Sequence, residues 1–142
     1  MFVYILLVLI VIERTKMTEI PVSVHLPFDE TFAEFRSAAT GDDSTPVTIR
    51  WYRLDQHSRR TQVVNRTGQV NVTVSEDGTT LSFFVTANDT AGWDLLTGSY
   101  QCEATNGYSR EVANFGVTID PPPTPPDSST PVGKLLLHYA IV

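Results

Sequence analysis

Few side chains in this 142-residue chain suit covalent or metal chemistry: one cysteine, Cys102, and three widely spaced histidines, His25, His57 and His138. Structural zinc takes about four Cys or His ligands, so this set predicts no zinc site, and a single cysteine excludes an internal disulfide. The acids Asp29, Glu30, Asp42 and Asp43 lack the spacing and central glycine of a calcium loop and read as solvated loop acids. A nucleophile–base–acid set can be nominated from the serines, histidines and aspartates. His57, however, lies in a polar stretch and Ser37 in an apolar one, with nothing to orient either. The sequence therefore predicts no catalytic residues, cofactor, metal or small-molecule substrate.

The chemistry it does offer is an acceptor function. Three Asn-X-Thr sequons begin at Asn65, Asn71 and Asn88, each an amide nitrogen that takes an N-linked sugar in the secretory pathway. An unbroken apolar run, Phe2 to Ile12, has the length of a signal-peptide core and falls short of the roughly 20 residues of a membrane span. No basic residue precedes the run, Glu13, Arg14 and Lys16 follow it, and Met17 is an alternative start. Together the leader and sequons predict an extracellular or cell-surface glycoprotein. The net charge of −6 argues against nucleic acid.

The elements that must carry these residues are strands. Val22, Val24 and Leu26 alternate in a first strand; Ala33, Phe35, Ser37 and Ala39 share the inward face of a second, with Glu34 and Arg36 opposite. Ile49 and Trp51 face inward in a third. The polar stretch 55–67 reads as a loop with a short edge strand over Gln62 to Val64, and its Arg59 and Arg60, with Arg53, form an exposed strand end in preference to a heparan-sulfate site. Val70, Val72 and Val74, then Asp77-Gly78, then Leu81, Phe83 and Val85 spell a β-hairpin. The segment ANDTAGWDLL reads as a loop, followed by a strand from Gly98 to Asn106, a turn at Asn106-Gly107 and a last strand with Phe115, Val117 and Ile119 on one face. The pattern is all-β: a two-sheet sandwich of about 100 residues.

At Asp120 the composition changes to PPPTPPDSSTP, a stiff linker whose prolines lack the amide hydrogen a ladder needs, ahead of the short apolar tail VGKLLLHYAIV. The expected organisation is an apolar leader over 1–19, the sandwich over 20–120, and a linker with tail over 121–142. The tail reads as the truncated start of another module or a non-native end. A glycolipid-anchor signal at Ser128 or Ser129 is the weaker reading, because the tail is short and holds His138.

The runs FRSAATG, IRWYR, SEDGTTLSF and GSYQCEATNGYS, in that order and spacing, resemble strands B, C, E and F of an immunoglobulin domain of the intermediate or variable-like sets. The resemblance implies a two-sheet Greek-key sandwich in which Trp51 packs beside the place of the inter-sheet disulfide and Tyr100 closes a corner. It implies a cysteine at position 37, where this chain has Ser37, so Cys102 is expected as a buried, inert thiol and Ser37 as a buried hydroxyl in need of a carbonyl. It also implies an aspartate at position 96, where Leu96 stands; Asp94 is the nearest substitute. With its proline junction the chain is similar to domains of the L1 family, including insect neuroglian, and of the contactins. That similarity implies a binding module of a neural cell-adhesion receptor, with homophilic or heterophilic protein partners and a membrane reached only through a downstream segment. A secreted immunoglobulin-type binder and a non-functional fragment of a receptor gene are the competing readings. Trp93 and Leu95 are the candidate partner-contact residues, against the plainer reading that Trp93 plugs the end of the sandwich.

Overall fold

The computed structural model describes residues 14–41, 46–86 and 89–126. Most of the apolar leader, Asp42, Asp43, Asn88, Ser128, Ser129, His138 and the tail lie outside them. Nine strands and one short helix are formed in the described residues: β1 (Lys16–Glu19), β2 (Val24–Leu26), β3 (Phe32–Thr40), β4 (Thr48–Leu54), β5 (Arg60–Gln62), β6 (Val70–Ser75), β7 (Gly78–Phe84), α1 (Thr90–Leu96), β8 (Gly98–Thr105) and β9 (Arg110–Ile119). They build two facing sheets, ordered β1-β3-β7-β6 and β2-β9-β8-β4-β5.

Alternation of side chains decides which face of each strand is buried. Along β3, Ala33, Phe35 and Ser37 are buried while Glu34 is exposed. Trp51, Phe35, Phe83, Tyr100 and Phe115 meet between the sheets, with ring centroids 4.8 Å apart for Phe35–Phe115 and 5.8 Å for the edge-on Trp51–Phe115 pair. Packing of this aromatic cluster, with Leu81 and Val117 wholly buried beneath it, is what joins the sheets.

The β6–β7 hairpin turns at Glu76-Asp77, with Ser75 opposite Gly78. Gly78 is required by close approach: a Cβ there would come 2.5 Å from the carbonyl oxygen of Ser37 on β3. Arg36 ties the turn down by pairing with Asp77 at 2.8 Å, and the Ser75 hydroxyl, followed by Arg36, holds the Asp77 carboxyl below its ordinary range.

Three sequence expectations are corrected. The opening strand is two: β1 pairs antiparallel with β3, and β2 pairs parallel with β9 in the other sheet. The chain changes sheets around Pro21, which has no amide hydrogen to extend either ladder, and Val22 is left 74% exposed. Lys16–Glu19 lies inside the segment read as the leader and pairs with β3. The edge strand lies at Arg60–Gln62, earlier than Gln62 to Val64, because the Asp55 carboxylate caps a tight turn by accepting from the amides of His57 and Arg59, and pairing resumes immediately after it. The segment read as a loop is the helix α1. Asp89 caps it by accepting from the Gly92 amide at 3.0 Å, and Trp93 and Leu96, three apart, face inward together.

Candidate functional site

The four positions of the core signature converge. Trp51 on β4 lies directly opposite Cys102 on β8, and its indole nitrogen donates to the Thr79 hydroxyl at 3.1 Å. Ser37 and Cys102 are completely buried, with the Ser37 hydroxyl against the thiol. That hydroxyl donates to the Glu19 carbonyl at 3.3 Å, which a register shift in β1 between Met17 and Glu19 turns toward it. Burial pushes the Cys102 thiol up to about 11; contact with Ser37 acts in the opposite sense, and the Glu103 charge adds to the rise. The thiolate, the reactive form, is therefore suppressed. Tyr100 donates to the Leu96 carbonyl at 2.5 Å, and burial raises its phenol above the ordinary value.

Arg53 reaches the turn where Leu96 stands in place of the implied aspartate. Its guanidinium donates to the Leu95 carbonyl and, at 2.7 Å, to the Thr97 carbonyl, so a cation meets the orphan carbonyls at the C-terminal end of α1. Asp94 is exposed and makes no ion pair among the described residues. The basic cluster of the sequence is dispersed by the same contacts: Arg53 turns to α1, Arg59 pairs with Asp55 at 2.7 Å, and Arg60 turns onto the sheet. Trp93 is 1% exposed and donates to the Glu30 carbonyl at 2.6 Å, so it plugs the end of the sandwich; of the two candidate contacts Leu95, 57% exposed, is the one that faces outward. The Trp93 indole supplies apolar area to the open end of the sandwich, and its one polar atom finds a carbonyl there.

No acid cluster able to hold a metal occurs among the described residues. The Glu30 carboxylate accepts from the amides of Thr31 and Phe32, and His57 sits in the exposed turn after β4. His25 bridges Thr118, at 2.8 Å, and Asp120, at 2.5 Å. The order Thr118–His25–Asp120 has the form of a proton relay, but the Thr118 hydroxyl is directed at the Val24 carbonyl at 3.3 Å on an exposed strand edge. These contacts fasten β2 to β9 where the proline linker leaves the sandwich, and the Asp120 amide donates to the Leu26 carbonyl beside them.

The outer face of the five-stranded sheet carries the most organised polar cluster. Glu103 on β8, nearly buried, receives Arg60 at 2.7 Å and Arg110 at 3.3 Å on the same carboxylate oxygen. Arg60 lies over the Tyr52 ring at 4.3 Å and donates to Gln101 at 3.2 Å, and Gln101 donates to Asn114 at 2.9 Å. The bond to Glu103 raises the Arg60 guanidinium further above an already high value. Exposed Arg50 sits beside Glu103 in register. Two guanidiniums thus meet one carboxylate with a third arginine beside it in register, and this face is locally positive on a chain of net charge −6. No motif marks this cluster in the sequence, and strand alternation is its one signal: Gln101 and Glu103 must point away from the face shared by Tyr100 and Cys102.

Of the sequons, Asn71 is exposed on the outer face of β6, with its side-chain nitrogen 3.2 Å from the Thr73 hydroxyl. Asn65, just before that strand, accepts from the Val72 amide at 2.7 Å. No described residue of the five-stranded sheet belongs to a sequon.

No family model and no curated protein matches the sequence. Solved structures match at the level of fold. A mutant complex of titin M10 with an obscurin-like 1 immunoglobulin domain gives a TM-score of 0.59 at 17% identity, covering 80% of this chain and 99% of the other. Titin domain M7 gives 0.56 at 18%, covering 78% and 98%. A titin immunoglobulin tandem gives 0.57 at 15%, covering 78% and 49%. With its two sheets, its first strand divided between them and a parallel β2–β9 pair, the chain has the immunoglobulin-like fold. At 15–18% identity the likeness is one of fold and selects no subfamily.

Proposed function

We propose that this chain is an extracellular immunoglobulin-like binding module of a cell-adhesion or neural recognition receptor, working by protein–protein contact without catalysis. The observation that carries the reading is the outer face of β2-β9-β8-β4-β5. It is free of sequons and centred on the Arg60–Glu103–Arg110 cluster with Tyr52, Gln101 and Asn114 around it. Arg and Tyr are the side chains interfaces favour, and a positive patch on an acidic chain orients an approaching partner. Pairing two copies of this face about a two-fold axis would bring like charges together, so the face suits an acidic partner of another kind and heterophilic contact. Immunoglobulin-fold neighbours supply the precedent of protein contact, one of them being titin M10 in its obscurin-like 1 complex.

Two measurements test this. Residues 1–19 fused to a reporter direct its secretion if the leader reading holds; retention of the reporter inside the cell sinks the extracellular assignment. Tetramers of the glycosylated chain, scored by flow cytometry, bind cultured neurons and lose that binding in the Arg60→Glu/Arg110→Glu variant. Binding indifferent to charge reversal, or aggregation of beads coated with this chain alone, overturns the heterophilic face.

A further inference from the structure

The outer face of the four-stranded sheet holds an aromatic pair that core packing does not explain. Phe32 on β3 and Phe84 on β7 are register partners with ring centroids 5.2 Å apart, and each is 41% exposed. Asn71 pairs with Ser82 on the same face, so Phe84 lies on its diagonal, where side chains of adjacent strands come within about 7–8 Å. Asn71 and Phe84 also wall one open depression of about 480 Å³, with Gly68, Gln69 and Val70 between them.

We infer that Asn71 carries an N-linked glycan whose first N-acetylglucosamine packs its apolar face on Phe84, with Phe32 behind it, and so covers this pair and the edge strand β6. Attachment joins the Asn71 side-chain nitrogen to the sugar's anomeric carbon. The bond from that carbon to the diphosphate of a lipid-linked donor breaks, the lipid diphosphate leaves with the electron pair, and one of the two amide protons passes to solvent. The remaining N–H still reaches the Thr73 hydroxyl. Asn65 lacks this arrangement, because its side-chain oxygen is tied into β6 through the Val72 amide. An aromatic face is a favourable floor for the sugar's C–H surface, and a bulky polar cover suits a strand at the edge of its sheet, where among the described residues only Asn65 and the Arg66 bridge reach its outer side. The inference rests on passage through the secretory pathway, but its test supplies that passage independently.

The full chain is secreted from eukaryotic cells behind a heterologous leader, trimmed to one N-acetylglucosamine per site, and mapped by peptide mass. Asn71 is expected to be occupied, and the trimmed protein to melt roughly 2–4 °C above the Asn71→Gln variant. In a Phe84→Ser background that difference disappears, and in Phe84→Leu part of it remains. The same Asn71→Gln comparison in unglycosylated bacterial protein gives equal melting temperatures. An unoccupied Asn71, or a difference that survives Phe84→Ser unchanged, overturns the proposal whatever the native leader does.

Discussion

Ser37 on β3 and Cys102 on β8 face one another between the sheets, both wholly buried, and touch as hydroxyl and thiol where the immunoglobulin sandwiches of antibodies carry a covalent bond. Since the two side chains already meet, Ser37→Cys is expected to close a disulfide under oxidising conditions. On the chain-entropy model a loop of this length stabilises by about 4 kcal/mol, less whatever strain the bond imposes and the lost Glu19 contact. Denaturant unfolding with and without reductant measures the gain, and thiol titration of the unfolded protein counts the bond. Two free thiols after glutathione oxidation would mean that the sheets stand at the wrong separation.

The Cys102 thiol should be silent in the folded protein. Burial raises it to about 11 from an ordinary 9.0, so the native state holds its proton where the unfolded chain releases it. Stability from this group is fully present below pH 9 and is lost as pH climbs toward 11, on the order of 2–3 kcal/mol over that window. Urea unfolding of wild type and Cys102→Ala at several pH values between 8 and 11 should give a steeper decline for wild type. Tyr100, also raised by burial, contributes to both proteins alike. Parallel declines, or rapid modification of the native thiol at pH 8, would show that the site is wet.

Much of the sandwich is legible in sequence because period-two alternation is imposed by burial on one face, as in β3 and in the β6–β7 hairpin. The aromatic positions Trp51, Tyr100 and Phe115 follow from the same rule. What alternation cannot express is a change of sheet: β1 and β2 are short, and only tertiary pairing with β3 and β9 divides them at Pro21. The helix α1 is hidden for a related reason. Seven residues contain one apolar i, i+3 pair, so the period is too brief to read, and the Asp89 cap with Trp93 burial decides the outcome. Likewise Arg53, Arg59 and Arg60 look like one basic cluster along the chain, but the strand and turn geometry sends them to three different partners.

The two apolar residues of α1 proposed for partner contact should behave oppositely. Trp93 fills the end of the sandwich and satisfies the Glu30 carbonyl, so Trp93→Ala is expected to cost about 3–5 kcal/mol. Trp93→Phe keeps much of the packing but orphans that carbonyl, which adds about 1–3 kcal/mol where the group stays dry. Leu95→Ala, at a mostly exposed position, should change stability by less than about 0.5 kcal/mol. Chemical denaturation of the three variants gives the ranking, and a Leu95 variant as damaging as Trp93→Ala would reverse the assignment of the buried face.

Glu103 organises the five-stranded face by holding two cations on one oxygen, and its removal should be felt as repulsion. Glu103→Gln preserves shape but leaves Arg60 and Arg110 near each other, with exposed Arg50 in register beside them. The arginines are 35% and 59% exposed, so solvent screens the loss, and a cost of about 1–2 kcal/mol is expected in place of the larger penalty for a fully buried pair. Because the cost is partly like-charge repulsion, it should shrink from 20 mM to 1 M salt, where the Debye length falls to about 3 Å. Adding Arg110→Gln should recover part of it at low salt, while Arg60 keeps its place over the Tyr52 ring. A cost independent of salt and unrelieved by the second substitution would instead mean that the carboxylate's hydrogen bonds, and not its charge, hold this face in order.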